Sequence, residues 1–167
     1  MTQKGNIEHV QLIDEAATQE YAVKLASFIN FEQHNAFYFE GEIGAGKTTL
    51  IRALFRHLGV QGAIKSPTFS ILETYHVNEL NPFPIHHFDL YRLAEPQELE
   101  FLGWRECFAG PSLCCIEWPE RAKNYLPEPS VLITLTVSGS GRVLSLTKNR
   151  MNSMERGRIS PLFSSNS

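Results

Sequence analysis

Three cysteines, no apolar run wide enough for a bilayer and no surplus of positive charge narrow what this chain can be. Cys107, Cys114 and Cys115 offer no C-x-x-C pair. Cys114 and Cys115 are adjacent in an apolar run, and neighbouring strand residues point to opposite faces, so the two cannot jointly face one metal. Buried free thiols in a reducing compartment are expected instead. No stretch reaches the length a spanning helix needs, and Met1 to Asn6 is polar rather than signal-like, so a cytoplasmic protein with no membrane contact is expected. A formal net charge of −3 leaves no bulk electrostatic case for direct nucleic-acid binding.

What remains is a chain of 167 residues with 43% hydrophobic and 20% charged content, which suits one soluble domain with a substantial core. Within it, Gly41-Glu42-Ile43-Gly44-Ala45-Gly46-Lys47-Thr48-Thr49 fits G-x-x-x-x-G-K-[ST], the loop that cradles nucleotide phosphates. The glycines let the backbone curl so that successive N–H groups form a nest for phosphate oxygens. The helix that follows aims its positive end at the same charge. In this pattern Lys47 reaches the β- and γ-phosphates, and the Thr48 hydroxyl ligates Mg²⁺. The flanks agree. Asn35 to Glu40 is short, aromatic and apolar like a buried strand, while Leu50, Ile51, Leu54, Phe55 and Leu58 recur at helical spacing before a Gly59 stop.

Ahead of the loop, Ile7 to Ile13 reads as a first strand, Asp14 as a helix N-cap, and Ala17, Tyr21, Leu25 and Phe28 as one helical face. Behind it, Pro67 interrupts Lys65-Ser66-Pro67-Thr68, and Phe69 to His76 alternates like a strand. Ser66 and Thr68 stand where many nucleotide hydrolases keep a segment that senses the γ-phosphate; an ordinary connecting loop is the competing reading. Asn81 to Pro84 reads as a turn, and Ile85 to Asp89 as a strand ending on an acid. His87 and Asp89 share a face of that strand, but no third ligand at a recognisable spacing supports a transition-metal site. Pro96 opens a short helix that Gly103-Trp104 ends. Leu113 to Ile116 is a second buried strand, and it delivers Glu117, the arrangement that presents a carboxylate to a nucleotide-bound metal. Val131 to Val137 and Arg142 to Thr147 form a closing hairpin around Ser138-Gly139-Ser140-Gly141. The expected architecture is an α/β P-loop sandwich: a mainly parallel central sheet, helices on both faces and a C-terminal antiparallel hairpin. It should occupy residues 1–148, with a polar, disordered tail over residues 149–167.

A phosphate loop names a nucleotide, not a reaction. No N-K-x-D guanine reader is present, so ATP is the default. The arginines are dispersed rather than gathered in a lid, which disfavours a small-molecule kinase without removing it.

The phosphate loop together with Lys65-Ser66-Pro67-Thr68-Phe69, His87-Phe88-Asp89-Leu90-Tyr91-Arg92-Leu93 and Ile116-Glu117-Trp118-Pro119 closely resembles the bacterial TsaE (YjeE) family, from about Asp14 to the closing hairpin. The resemblance implies the ATPase of the machinery that makes threonylcarbamoyladenosine in tRNA. Such a protein does not transfer the threonylcarbamoyl group; it joins a TsaD–TsaB pair and meets tRNA only through that complex. Carried onto this chain, the resemblance counts Gly41 among the nucleotide-binding residues and places phosphates on Gly44, Ala45, Gly46, Lys47, Thr48 and Thr49, and Mg²⁺ on Thr48 and Glu117. It makes Asp89 the group that positions or activates water, although Asp89 and Glu117 can exchange roles. It also sets Asp14 near the nucleotide base, against a plain helix cap, and Trp118 beside the site or a partner, against core packing.

Overall fold

The structure is a computed structural model that describes residues 6–80 and 82–149. In chain order it runs β1 (Ile7–Leu12), α1 (Glu15–Ala26), β2 (His34–Glu40), α2 (Lys47–Leu58), β3 (Leu72–Val77) and β4 (Phe83–Asp89), then α3 (Trp104–Cys107), β5 (Ser112–Glu117), β6 (Val131–Ser138) and β7 (Gly141–Lys148). Two 3₁₀ segments, Pro96–Leu102 and Pro119–Ala122, flank α3 and β5. The strands form one sheet in the order β1-β7-β6-β2-β5-β4-β3. Strands β6, β2, β5 and β4 are mutually parallel, and antiparallel pairings add β7 and β1 at one edge and β3 at the other.

Burial follows from this order. Strand β5 is buried at all six positions and β2 at its five inner ones, because both lie in the middle of the sheet with both faces covered. One face packs Phe37, Phe39, Ile85, Leu113 and Cys115 against Leu25 of α1 and against Leu50, Leu54 and Phe55 of α2. The other gathers Tyr38, Phe88, Cys114 and Ile116 under Leu99, Trp104 and Phe108. That second layer is made of α3 and the 3₁₀ segments rather than long helices. Cys114 and Cys115 thus fall in opposite layers, and burial holds both thiols well above the ordinary cysteine range. Among the described residues no helix is long and apolar enough to cross a membrane.

The architecture is the expected one, with local departures. The strand expected from Phe69 begins only at Leu72, because Ile71 turns the chain at φ 65° and leaves Phe69 84% exposed. Phe83 and Pro84 belong to β4 rather than to a turn; Pro84 sits at the strand's start, outside the β5 pairing that begins at Ile85. Asn81 lies outside the described residues. Ile13 falls beyond β1, and Phe28 beyond the end of α1. Gly103 closes the first 3₁₀ segment, but Trp104 starts α3 rather than ending an element. Asn149, assigned to the tail by composition, donates its N–H to the Ser130 carbonyl at 3.1 Å. Residues 150–167 lie outside the described residues.

Candidate functional site

The site grows from three neighbouring strand ends. In a parallel sheet, side chains at paired positions share a face, and Asp89 at the end of β4 pairs with Glu117 at the end of β5. Phe39 of β2 pairs with Glu117 on the other side, which sets the glycine loop beside the two acids. Ligands in α/β sheets gather outside these carboxyl ends. Backbone bonds lock the ends together: Leu90 N–H donates to the Glu117 carbonyl (3.1 Å), and Trp118 N–H to the Phe39 carbonyl (3.3 Å). Trp118 itself turns the chain at φ 59°.

Helix α2 opens directly from the loop. Its N-cap is Gly46 at φ 99°, Gly44 stands at φ 78°, and among the described residues no side chain caps the helix end. Among the described residues a β-carbon on Gly44 would meet nothing within 4 Å, so both conformation and space suit close approach of an anion to the backbone. Gly41 (φ 148°) has a different task. A β-carbon there would stand 2.5 Å from the Leu135 carbonyl oxygen of β6. Gly41→Ala is expected to cost about 1–3 kcal/mol of stability by forcing loop and sheet apart. The midpoint of urea denaturation measures this, and an unchanged midpoint would show that the close approach is not required.

Polar groups converge in the cleft. Lys47, only 5% exposed, donates from Nζ to the Gly41 carbonyl and to the Glu42 carbonyl (2.9 Å), and the same Nζ lies 4.3 Å from the Trp118 ring centroid. Burial pulls its pKa down, while Glu117, Glu120 and Asp89 oppose that. The Thr48 hydroxyl donates to Glu117 Oε1 at 2.8 Å. Asp89 Oδ1 accepts the Tyr91 N–H at 3.1 Å. Burial raises the Asp89 carboxyl above its usual range and Glu117 adds to this; the Tyr91 N–H, His87 and Lys47 pull it back.

The Ser66–Thr68 segment is drawn in by Ile71, whose carbonyl accepts the Asp89 N–H (2.9 Å) while its own N–H donates to the Pro67 carbonyl (2.9 Å). A β-branched residue at positive φ carries strain of about 1–3 kcal/mol, here spent at the mouth of the cleft.

Of the residues singled out from the sequence, Gly44, Gly46, Lys47, Thr48 and Thr49 line one cleft of about 410 Å³. Ser66, Thr68, Asp89, Glu117 and Trp118 line it too. Trp118 also packs partly buried against the second core layer. Gly41 and Ala45 are not in the lining, Ala45 being 1% exposed. Asp14 is not in the lining; its Oδ1 caps α1 by accepting the Ala17 N–H at 2.8 Å.

Sequence reasoning did not find Ile43, Tyr91, Arg92 or Arg142, all of which line the cleft. Arg142, from the start of β7, reaches back to the loop: Nε donates to the Ala45 carbonyl (3.0 Å) and Nη2 to the Gly44 carbonyl (3.2 Å). Only the hairpin's place in the sheet reveals that contact. Tyr91 and Arg92 belong to the His87–Leu93 stretch, and their closeness to Asp89 is the signal in the sequence.

The donor set fits magnesium and a triphosphate. Among the described residues no cluster of three or more His, Cys, Asp or Glu is arranged to hold a metal. Mg²⁺ uses few protein oxygens, completing its shell with phosphates and water, and a hydroxyl beside a carboxylate at a helix N-terminus suits that habit. Thr48 donates its O–H to Glu117 in a hydrogen bond, which leaves its oxygen lone pairs free for a cation.

Comparison with known proteins gives consistent results. The family model described as threonylcarbamoyl adenosine biosynthesis protein TsaE matches residues 12–144. The Haemophilus influenzae protein named tRNA threonylcarbamoyladenosine biosynthesis protein TsaE is 39% identical over 136 residues, 80% of this chain and 84% of its own. The Rickettsia felis protein of that name is 36% identical over 157 residues, covering 92% of this chain and 88% of the relative. The crystal structure of YdiB from Bacillus subtilis superposes with a TM-score of 0.68 at 24% identity, spanning 87% of this chain and 88% of that one, and shares the fold.

Proposed function

This chain belongs to the TsaE family, and from that premise we propose that it binds and hydrolyses Mg-ATP in support of threonylcarbamoyladenosine formation in tRNA. The observation that carries the reading is the contact of the Thr48 hydroxyl with Glu117 at 2.8 Å, at the mouth of a glycine loop and one strand away from Asp89.

The division of labour follows from chemistry. Backbone N–H groups from Gly44 to Thr49 hold phosphate oxygens, and Lys47 exchanges its two carbonyl acceptors for the β- and γ-phosphates. Thr48 and Glu117 hold Mg²⁺, which when bound neutralises charge that develops on the phosphates. Asp89, its basicity raised by burial, orients the attacking water and takes its proton. Ser66 and Thr68 report whether the γ-phosphate is present. Arg142 stiffens the loop by occupying the Gly44 and Ala45 carbonyls. Phosphoryl transfer asks mostly for positioning and charge neutralisation, and these residues supply both.

The partners we assign are TsaD and TsaB, TsaD performing the transfer and tRNA being reached through the complex; the net charge of −3 is compatible with that indirect contact. The function is exercised in the cytoplasm. Size-exclusion chromatography of the three proteins is expected to show an ATP-dependent complex, and partner-stimulated release of free phosphate is expected to accompany it. Separate elution under every nucleotide condition, with phosphate passing to a small acceptor instead of water, would favour a kinase.

A further inference from the structure

The buried pair behind the metal-facing carboxylate carries an inference that rests on the Mg-ATP reading above. His87 is fully buried on β4, on the α2 side of the sheet, and its Nε2 stands 2.8 Å from Glu117 Oε2. Glu117, 2% exposed, receives the Thr48 hydroxyl on its other oxygen at 2.8 Å. An ionised carboxylate only accepts, so Nε2 carries the imidazole proton in this bond. The opposite nitrogen, Nδ1, is buried with no hydrogen-bond partner among the described residues, so Nε2 makes the ring's one hydrogen bond there. The Phe55 ring of α2 meets the imidazole edge-on, centroids 5.7 Å apart and planes at 89°, and holds the ring's plane.

Two donors on two oxygens, one from α2 and one from β4, leave the Glu117 carboxyl plane no free rotation. A single donor would leave it free to turn about the Thr48 contact. We propose that His87 is a positioning residue: its Nε2–H fixes Glu117 in the orientation that receives the divalent cation, and does so without touching metal or nucleotide. A partner behind a metal-facing group contributes about 10–100-fold to metal affinity when removed.

The test is Mn²⁺ titration by electron paramagnetic resonance on the full chain with a non-hydrolysable ATP analogue, beside nucleotide affinity in EDTA. His87→Leu should weaken Mn²⁺ binding at least tenfold and leave metal-free nucleotide affinity unchanged. His87→Gln, whose amide nitrogen can stand in for Nε2–H, should recover most of the loss. Should the leucine variant not fold, His87→Asn takes its place, its amide stopping short of Glu117. Glu117→Gln is the reference. If Glu117→Gln weakens Mn²⁺ binding while His87→Leu or His87→Asn binds it like the parent, the positioning role is overturned and the magnesium reading survives. Equal loss in the leucine, asparagine and glutamine variants also overturns it, since packing rather than the donor would then matter. If Glu117→Gln itself binds Mn²⁺ unchanged, the magnesium reading falls and this inference with it.

Discussion

Lys47→Ala is expected to lower ATP turnover by at least about a hundredfold, the scale of removing one well-placed donor from developing transition-state charge. The domain should remain folded. Lys47 is buried, but its ammonium rests on two loop carbonyls and the Trp118 face rather than inside either core layer. Burial already works against its charge, so replacing it with alanine also removes a desolvation cost. Circular dichroism should give a melting point within a few degrees of the parent, while phosphate release is lost. A folded variant with undiminished turnover would take the lysine out of the reaction.

Asp89→Asn separates metal binding from chemistry. Asparagine keeps an oxygen for the Tyr91 N–H and nearly the same shape, so the β4 end and its bond from Asp89 N–H to the Ile71 carbonyl should persist. What disappears is the capacity to take a proton. Turnover is expected to fall by about 10²–10⁴-fold, with Mg-ATP affinity within about threefold of the parent by isothermal titration calorimetry. If affinity collapses in magnesium yet is unchanged in EDTA, Asp89 is instead the metal's ligand and Glu117 takes the water.

Much of this was legible in the sequence because the signals were local. The loop's glycines, the aromatic strand before it and the 3.6-residue repeat after it sit within one stretch, and β2 and α2 form there. Asp89 and Glu117 were each visible as an acid at the end of a strand; their pairing is a consequence of parallel register between β4 and β5. What stayed hidden depends on contacts between distant parts of the chain. Strand alternation alone puts His87 on the face of Asp89, yet the partner of His87 lies 30 residues on, across a strand boundary. Arg142 meets the loop 97 residues away, which only the order β7-β6-β2 brings about. Ile71 misled for another reason: alternation continued through it, while its positive φ broke the strand and folded Ser66 and Thr68 toward the cleft. Local pattern favoured extension there, and the bond from Asp89 to the Ile71 carbonyl prevailed.

The most direct test is a crystal structure of this chain with Mg²⁺ and a non-hydrolysable ATP analogue. The account predicts phosphates cradled by Gly44 to Thr49, the cation against the Thr48 hydroxyl with Glu117 facing it, and Asp89 turned toward the γ-phosphate. Nucleotide bound elsewhere, or both acids directed away from the phosphates, would contradict it.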